Sequence, residues 1–333
     1  MFSLLGMRFD LGKYKKGLIN LIKIGVGALA FWLIISMVGE RAGRDWPAFL
    51  RLLKGSSWYG FLLIVALMSV LNLFLESEKW KFLVGKVEVI SIGKSLKSVL
   101  AGWNLALFTP ARLGEFGGRI LFLLPENRKK GALCLLVGNL SQLLVTFVLG
   151  LLGTLFWIRT YLKLGQSVLL ILSILIIIGI ILFIGVYFSL NRSHGLWSRI
   201  PFLKSQLPSL EVLRDFSSKE LWVSLVFSLG RYILFTHQYV FLLFGFMGAH
   251  PYFPTLYSMS LIFLVQSIVP SFILSDMGIR GANAVFFLSF IFGNQNLIPI
   301  LATAFYVWLV NIILPALIGL FFVLKVKSSF VRT

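Results

Sequence analysis

The sequence predicts an all-α fold: a polytopic membrane helical bundle of about six full spans plus two broken, re-entrant helical hairpins in inverted arrangement. Three observations predict it: a composition too apolar for a soluble domain, apolar runs of bilayer length, and basic residues gathered in short clusters between those runs. Hydrophobic residues fill 58% of 333 positions and charged residues only 13%, with a mean hydropathy of +0.93. Soluble domains sit near half apolar and a quarter charged, so the excess has to face lipid.

A hydrocarbon core about 30 Å thick needs roughly 20 apolar residues in a helix. Six runs are of that length: Gly17 to Val38, Ser57 to Leu75, Gly131 to Ile158, Gln166 to Leu190, Leu221 to Met247 and Leu297 to Leu324. Two further regions, 95–124 and 255–292, are interrupted in the middle by proline, glycine and charge. Several of their arms are too short to cross on helix rise alone. They read as a first and a second hairpin within one transmembrane domain, 1–333.

The basic residues set the orientation. If both hairpins leave on the side they entered, 20 of the 31 lysines and arginines fall inside, in the clusters Arg8–Lys16, Lys79–Lys97, Arg128–Lys130, Arg192–Lys219 and Lys325–Arg332. Six fall outside, and Lys23, Arg112, Arg119, Arg231 and Arg280 lie within apolar segments. The bias places both termini in the cytoplasm and the protein in the plasma (inner) membrane as a multi-pass protein. The N-terminal apolar run ends at Gly39-Glu40-Arg41 without a small-residue cleavage site and reads as a retained helix. Between the fourth and fifth runs, 196–220 carries Pro201 and Pro208, with Leu210, Leu213 and Phe216 spaced three apart. That pattern predicts an amphipathic segment on the cytoplasmic surface. Trp58, Tyr59, Trp157, Tyr161, Trp222 and Tyr252 fall near run ends and read as interfacial anchors.

The net charge of +19 does not indicate nucleic acid, because its clusters follow membrane topology rather than one soluble face. Cys134, the one cysteine, lies within an apolar run and reads as a packing residue. His194, His237 and His250 are scattered and no G-x-x-x-x-G-K motif occurs, so neither a metal site, a cofactor nor ATP-driven transport is expected. No catalytic residue is assigned.

Chemistry concentrates in Asn104 to Arg119, N-L-A-L-F-T-P-A-R-L-G-E-F-G-G-R. Arg112, Glu115 and Arg119 each cost about 2.5–3.5 kcal/mol near the bilayer centre, so they need partners or a wet cavity. Pro110 and Gly114 supply the break, and backbone groups freed at membrane depth are tolerated only where protein or a polar cavity receives them. Free N–H groups beside two arginines suit a phosphate or carboxylate. The plainer reading is that Arg112 and Glu115, three apart, neutralise each other and pin the hairpin. The second hairpin reads V-P-S-F-I-L-S-D-M-G-I-R-G and combines Pro270, Asp276, Gly278 and Arg280. The expected pairs across the hairpins are Asp276 with Arg112 or Arg119, and Glu115 with Arg280. Arg231 is a further candidate or a snorkelling residue, and His237 reads as packing. Asn139 and Gln142 are expected to bond between helices, and Gly114-x-x-x-Gly118 permits close approach.

These motifs, Asn104 with Pro110, Arg112, Gly114, Glu115 and Arg119, then Pro270, Gly278 and Arg280, resemble those of the lysylphosphatidylglycerol synthase transmembrane-region family, the flippase-like proteins. The second motif departs from the family pattern: Ser275-Asp276 and Gly281 stand where a glycine pair and a glutamate are usual. The resemblance implies movement of lipids between leaflets. Fused members carry a soluble aminoacyl-transferase domain, which a chain ending at Thr333 is expected to lack.

Together the readings give a lipid translocase moving a phospholipid or polyprenyl-linked lipid through a polar intramembrane cavity. Arg112, Arg119 and Arg280 would meet phosphate, and Glu115 and Asp276 would tune them or hold a cationic group. Two other classes stay open: an intramembrane head-group enzyme with Glu115 as general base, and a non-transporting scaffold for a cell-envelope glycosyltransferase. The expected partners are membrane lipids, with an envelope glycosyltransferase or lipid-modifying enzyme under the scaffold reading.

Overall fold

A computed structural model describes residues 58–109, 112–162, 164–190, 210–269, 273–293 and 296–330. The run from Gly17 to Val38 lies outside the described residues, as do Pro110, Pro270 and Lys163. All regular structure among the described residues is helical. The helices are α1 (Trp58–Val84), α2 (Ile92–Leu107), α3 (Gly114–Ile120), α4 (Arg128–Tyr161), α5 (Gln166–Phe188), α6 (Ser218–Met247), α7 (Tyr252–Ile268), α8 (Ile273–Phe292), α9 (Leu297–Trp308) and α10 (Leu314–Phe330). Five residues of π-helix, Leu309–Ile313, join α9 to α10 on one axis.

Four described helices are long and apolar enough to cross a membrane: α1, α4 with the short turn before it, α5, and the α9–α10 axis. The protein is membrane-integral. α5 shows the lipid face most plainly, with Tyr187 as its one buried residue. α6, 30 residues and about 45 Å long by helix rise, has the length to cross but carries Arg231 in its apolar body. Its start is fixed by a capping box, in which Ser217 Oγ accepts from Glu220 N and the Glu220 carboxylate accepts from Ser217 N.

α1 runs on well past Leu75, where its apolar run stops, to Val84. Glu76 and Lys79, the latter expected in a cytoplasmic basic cluster, are therefore inside the bundle, each 1% exposed. That corrects the placement of Lys79 among the loop lysines. Trp157 also departs from expectation: it is buried edge-on against Phe287 and Phe290, at 5.4 and 4.9 Å between ring centres, while Tyr59, Trp222 and Tyr252 are exposed. Part of 196–220 lies outside the described residues. Within the rest, Leu210, Leu213 and Phe216 pack into the bundle core rather than facing lipid.

Both proline-broken regions double back. Gly118 lies against Ala101 and Gly102, and Gly114 against Leu105, so α3 folds antiparallel onto α2. A Cβ at Gly118 would stand 2.5 Å from the Ala101 carbonyl oxygen, a separation only glycine permits. α8 likewise returns along α7, with His250 against Phe292 at the open end and Gln266 bonded to Arg280 near the bend. The open end of the first pair lies by the start of α6, where Lys86 meets Glu220 at 2.6 Å. The open end of the second lies by the end of α6, whose His237 Nε2 is 2.8 Å from Tyr252 Oη. The two pairs therefore open toward opposite ends of α6.

Between lipid-immersed helices burial of apolar surface supplies little drive, and close packing with interhelical hydrogen bonds does the work. Gly150 and Gly153 let α4 seat against Leu264 and Ser260 of α7, and Gly319 lets α10 reach the Leu100 carbonyl of α2. Two apolar cores result. One gathers around Tyr239, Met259 and Leu288, the other around Trp80, Cys134 and Phe216.

Candidate functional site

One carboxylate organises the polar centre. Glu76, 1% exposed, sits on the inner face of α1. Its Oε1 accepts from Arg119 Nη2 at 2.6 Å, and its Oε2 pairs with Lys79 Nζ at 3.0 Å and with Arg231 Nη1. A buried carboxylate survives only when charge partners replace the lost water, and here three helices supply them. Arg119 also pairs with Glu115, one turn earlier on α3, and lies 5.7 Å over the Trp80 ring. Lys79 Nζ reaches the Gly138 carbonyl and Ser228 Oγ, both at 3.4 Å, so its three donors meet three acceptors. Arg231 Nε donates to Asn72 Oδ1 at 2.9 Å and Nη1 to Gln142 Oε1 at 3.3 Å.

The network reaches the π turn. Asn311, 3% exposed, donates to Gln238 Oε1 at 2.8 Å and accepts from Asn72 Nδ2 at 3.3 Å. The wider turn leaves the Val310 carbonyl to Ser69 Oγ at 2.7 Å. Such bulges recur where a helix serves a site.

Beside this network lies a cavity of about 480 Å³. Leu107 and Arg112 come to it from the first helix pair, Gln266, Val269, Asp276 and Arg280 from the second. Arg231, Gln142 and Asn311 line it from the bundle between them. Arg112 takes φ +58°, the one positive φ outside glycine among the described residues. A non-glycine residue in the left-handed region stores strain of order 1–3 kcal/mol, typical of places where function dictates backbone geometry. Its side chain is 49% exposed and its ion pair with Glu115 is loose, 3.8 Å. Arg280 is held by Asp276 Oδ2 at 2.8 Å, which also accepts from Trp308 Nε1 at 3.1 Å.

Not every expected residue reaches the cavity. Arg112, Arg231, Asp276 and Arg280 line it. Asn104 is buried and donates to the Ala316 carbonyl at 2.9 Å, tying α2 to α10. Gly114 serves close packing against Leu105. Glu115 and Arg119 lie behind the wall, paired with each other and with Glu76. Gly278 is buried within α8, and Pro110 lies outside the described residues. The cross-hairpin pairs did not form: Asp276 meets Arg280 one turn along its own helix, and Glu115 meets Arg119 and Arg112. An intrahelical i, i+4 partner needs no chain to be ordered twice, and so wins over a distant one. Gln142 does bond between helices, to the Ser228 carbonyl at 3.3 Å.

Glu76, Lys79, Asn72 and Asn311 were not singled out from sequence. Glu76 and Lys79 did leave a signal, an i, i+3 ion pair directly after an apolar run. Counting the cluster, five cations (Lys79, Arg112, Arg119, Arg231, Arg280) face three carboxylates (Glu76, Glu115, Asp276), two positive charges in excess. A pocket so charged, away from bulk water, attracts an anion. Among the described residues no group of histidine, cysteine and carboxylate side chains could hold a metal ion.

Comparison with curated proteins and with solved structures returned no match. The family model for the lysylphosphatidylglycerol synthase TM region matches residues 20–319. With nearly its whole length matched, the chain belongs to the lysylphosphatidylglycerol synthase TM region family.

Proposed function

We propose that this protein is a lipid translocase of the plasma membrane with both termini cytoplasmic. The two helix pairs act as re-entrant hairpins dipping in from opposite faces, and the phosphate of a lipid head group enters the cavity where their tips meet. The observation that carries this reading is that Arg112, Arg231 and Arg280, from three separate elements, line one cavity. Exposed Phe108, Leu113 and Ile268 at the two bends give acyl or polyprenyl tails an apolar surface beside the charged pocket. The net positive wall lowers the cost of bringing a phosphate to mid-bilayer, and the arrangement of opposed broken helices is that of many secondary transporters. Glu115, turned toward Arg119 behind the wall, is poorly placed as a general base, which favours transport over head-group chemistry.

Arg112→Ala in proteoliposomes tests the reading. Alanine keeps the Cβ, so backbone strain at φ +58° is unchanged and the half-exposed side chain removes no packing. Leaflet exchange should fall at least about tenfold, the loss of one charge-assisted phosphate contact, with an unaltered melting profile. Exchange at the wild-type rate would refute the assignment.

A further inference from the structure

A row of buried hydroxyls runs from the charge cluster toward the start of α6, and the lipid reading makes no use of it. Lys79 Nζ reaches Ser228 Oγ at 3.4 Å. Ser224 stands one turn earlier on α6, about 6 Å along the axis, a gap that one water bridges. Ser224 Oγ shares a hydrogen bond with Ser141 Oγ of α4 at 2.6 Å, and Ser141 Oγ shares another with Tyr187 Oη of α5 at 2.7 Å. Tyr187 Oη donates to the Leu221 carbonyl at 3.0 Å. All four side chains are fully buried. The row ends in the first turn of α6, next to Glu220, whose partly exposed carboxylate meets Lys86. A hydroxyl both donates and accepts, so such a row can hand a proton along.

Charge decides which group would use it. Within the buried cluster Lys79, Arg119 and Arg231 face Glu76 and Glu115, one positive charge in excess, and half-exposed Arg112 adds to it. Protonating either carboxylate would deepen the excess, and arginine keeps its proton in proteins. Lys79 alone can relieve it, by losing a proton. From α4 it meets only the neutral Gly138 carbonyl, at 3.4 Å. Its contacts suit both forms: the ammonium donates to Glu76, Gly138 and Ser228, and the neutral amine keeps the first two and accepts from Ser228 Oγ. A phosphate arriving at Arg231 in the cavity wall supplies the missing negative charge and favours the ammonium. The linkage is reciprocal, so the proton in turn favours the bound phosphate.

We propose that the protein is a proton–lipid symporter, in which Lys79 takes up one proton as an anionic head group binds and releases it along Ser228, Ser224, Ser141 and Tyr187 when the head group leaves. The proposal rests on the reading that a lipid phosphate enters the cavity, and it adds the energy source. One proton with one singly charged phosphodiester makes the loaded step electroneutral. A pH gradient therefore drives it and a membrane potential does not.

Proteoliposomes of phosphatidylcholine carrying a trace of fluorescent phosphatidylglycerol are placed under a pH gradient or a valinomycin-set potassium potential. In the wild type the probe should collect in the leaflet facing the alkaline side, at least about tenfold faster than in protein-free vesicles. A protonophore should abolish this accumulation, and the potential alone should not produce it. Lys79→Arg, whose charge is permanent, should transfer the response from the pH gradient to the potential. Ser224→Ala and Tyr187→Phe, which leave the cavity lining in place, should slow the pH-driven accumulation at least about tenfold. A wild-type response to the potential and not to the pH gradient, a retained pH response in Lys79→Arg, or wild-type rates in both hydroxyl variants would overturn the coupling and leave the translocase reading standing. Exchange no faster than in protein-free vesicles, with or without a gradient, would overturn the translocase reading itself.

Discussion

Glu76 carries more of the molecule than any residue its sequence context advertises. It joins α1 to α3 through Arg119 and to α6 through Arg231, and both contacts are buried. Removing one member of a buried ion cluster strands the others, at about 3–5 kcal/mol. Glu76→Gln should therefore lower the melting temperature of the detergent-solubilised protein sharply. Lys79→Met should cost less, because Glu76 keeps two arginines; the reverse ranking would show that Lys79 is the anchor. Arginines within apolar runs were legible in the sequence because charge at membrane depth is expensive and needs a reason. Glu76 left only its i, i+3 spacing to Lys79, because an apolar run that stops at Leu75 does not tell that the helix stays buried through Val84. Asn104 shows the reverse: its place in the motif marked it, but not that its amide ties α2 to the Ala316 carbonyl of α10.

Among the elements, the first helix pair depends on the absence of side chains. Gly117 has open space where a Cβ would project, while Gly118 meets the Ala101 carbonyl and the Gly102 Cα. Gly118→Ala should destabilise by about 1–3 kcal/mol as overpacking does, whereas Gly117→Ala should be neutral or stabilising by up to about 1 kcal/mol through helix propensity. Parallel melting curves check the contrast. The glycine spacing was readable as close approach, but not which helix approaches. At the open end of this pair Glu88 accepts from Lys94 Nζ at 2.7 Å, Leu124 N at 3.0 Å and Asn127 Nδ2 at 3.1 Å. Partial burial pushes its carboxyl up, but these three donors outweigh that and hold it below the usual carboxylate range. A carboxyl with a lowered folded value stabilises at and above its ordinary range and loses that contribution as pH falls through the lowered value. Protection of the amides at 121–127, with the intrinsic exchange rate divided out, should fall only in acid below that range, and Glu88→Gln should abolish that acid-dependent fall.

At the scale of the whole molecule, the two helix pairs open toward opposite ends of α6 and bring their bends to one cavity. Breaks by proline, glycine and charge made the two regions stand out, since each interrupts a hydrogen-bond ladder that lipid cannot complete. The π turn at Leu309–Ile313 and the Asn72–Asn311–Gln238 cluster it serves had no such mark, because their cause is tertiary. The most direct test is a cryo-electron microscopy map of the protein in nanodiscs containing anionic lipid. A phosphate-sized density in contact with Arg112, Arg231 and Arg280 is the result this account predicts. An empty cavity beside well-resolved lipids elsewhere, or Arg112 and Arg280 facing separate compartments, would contradict it.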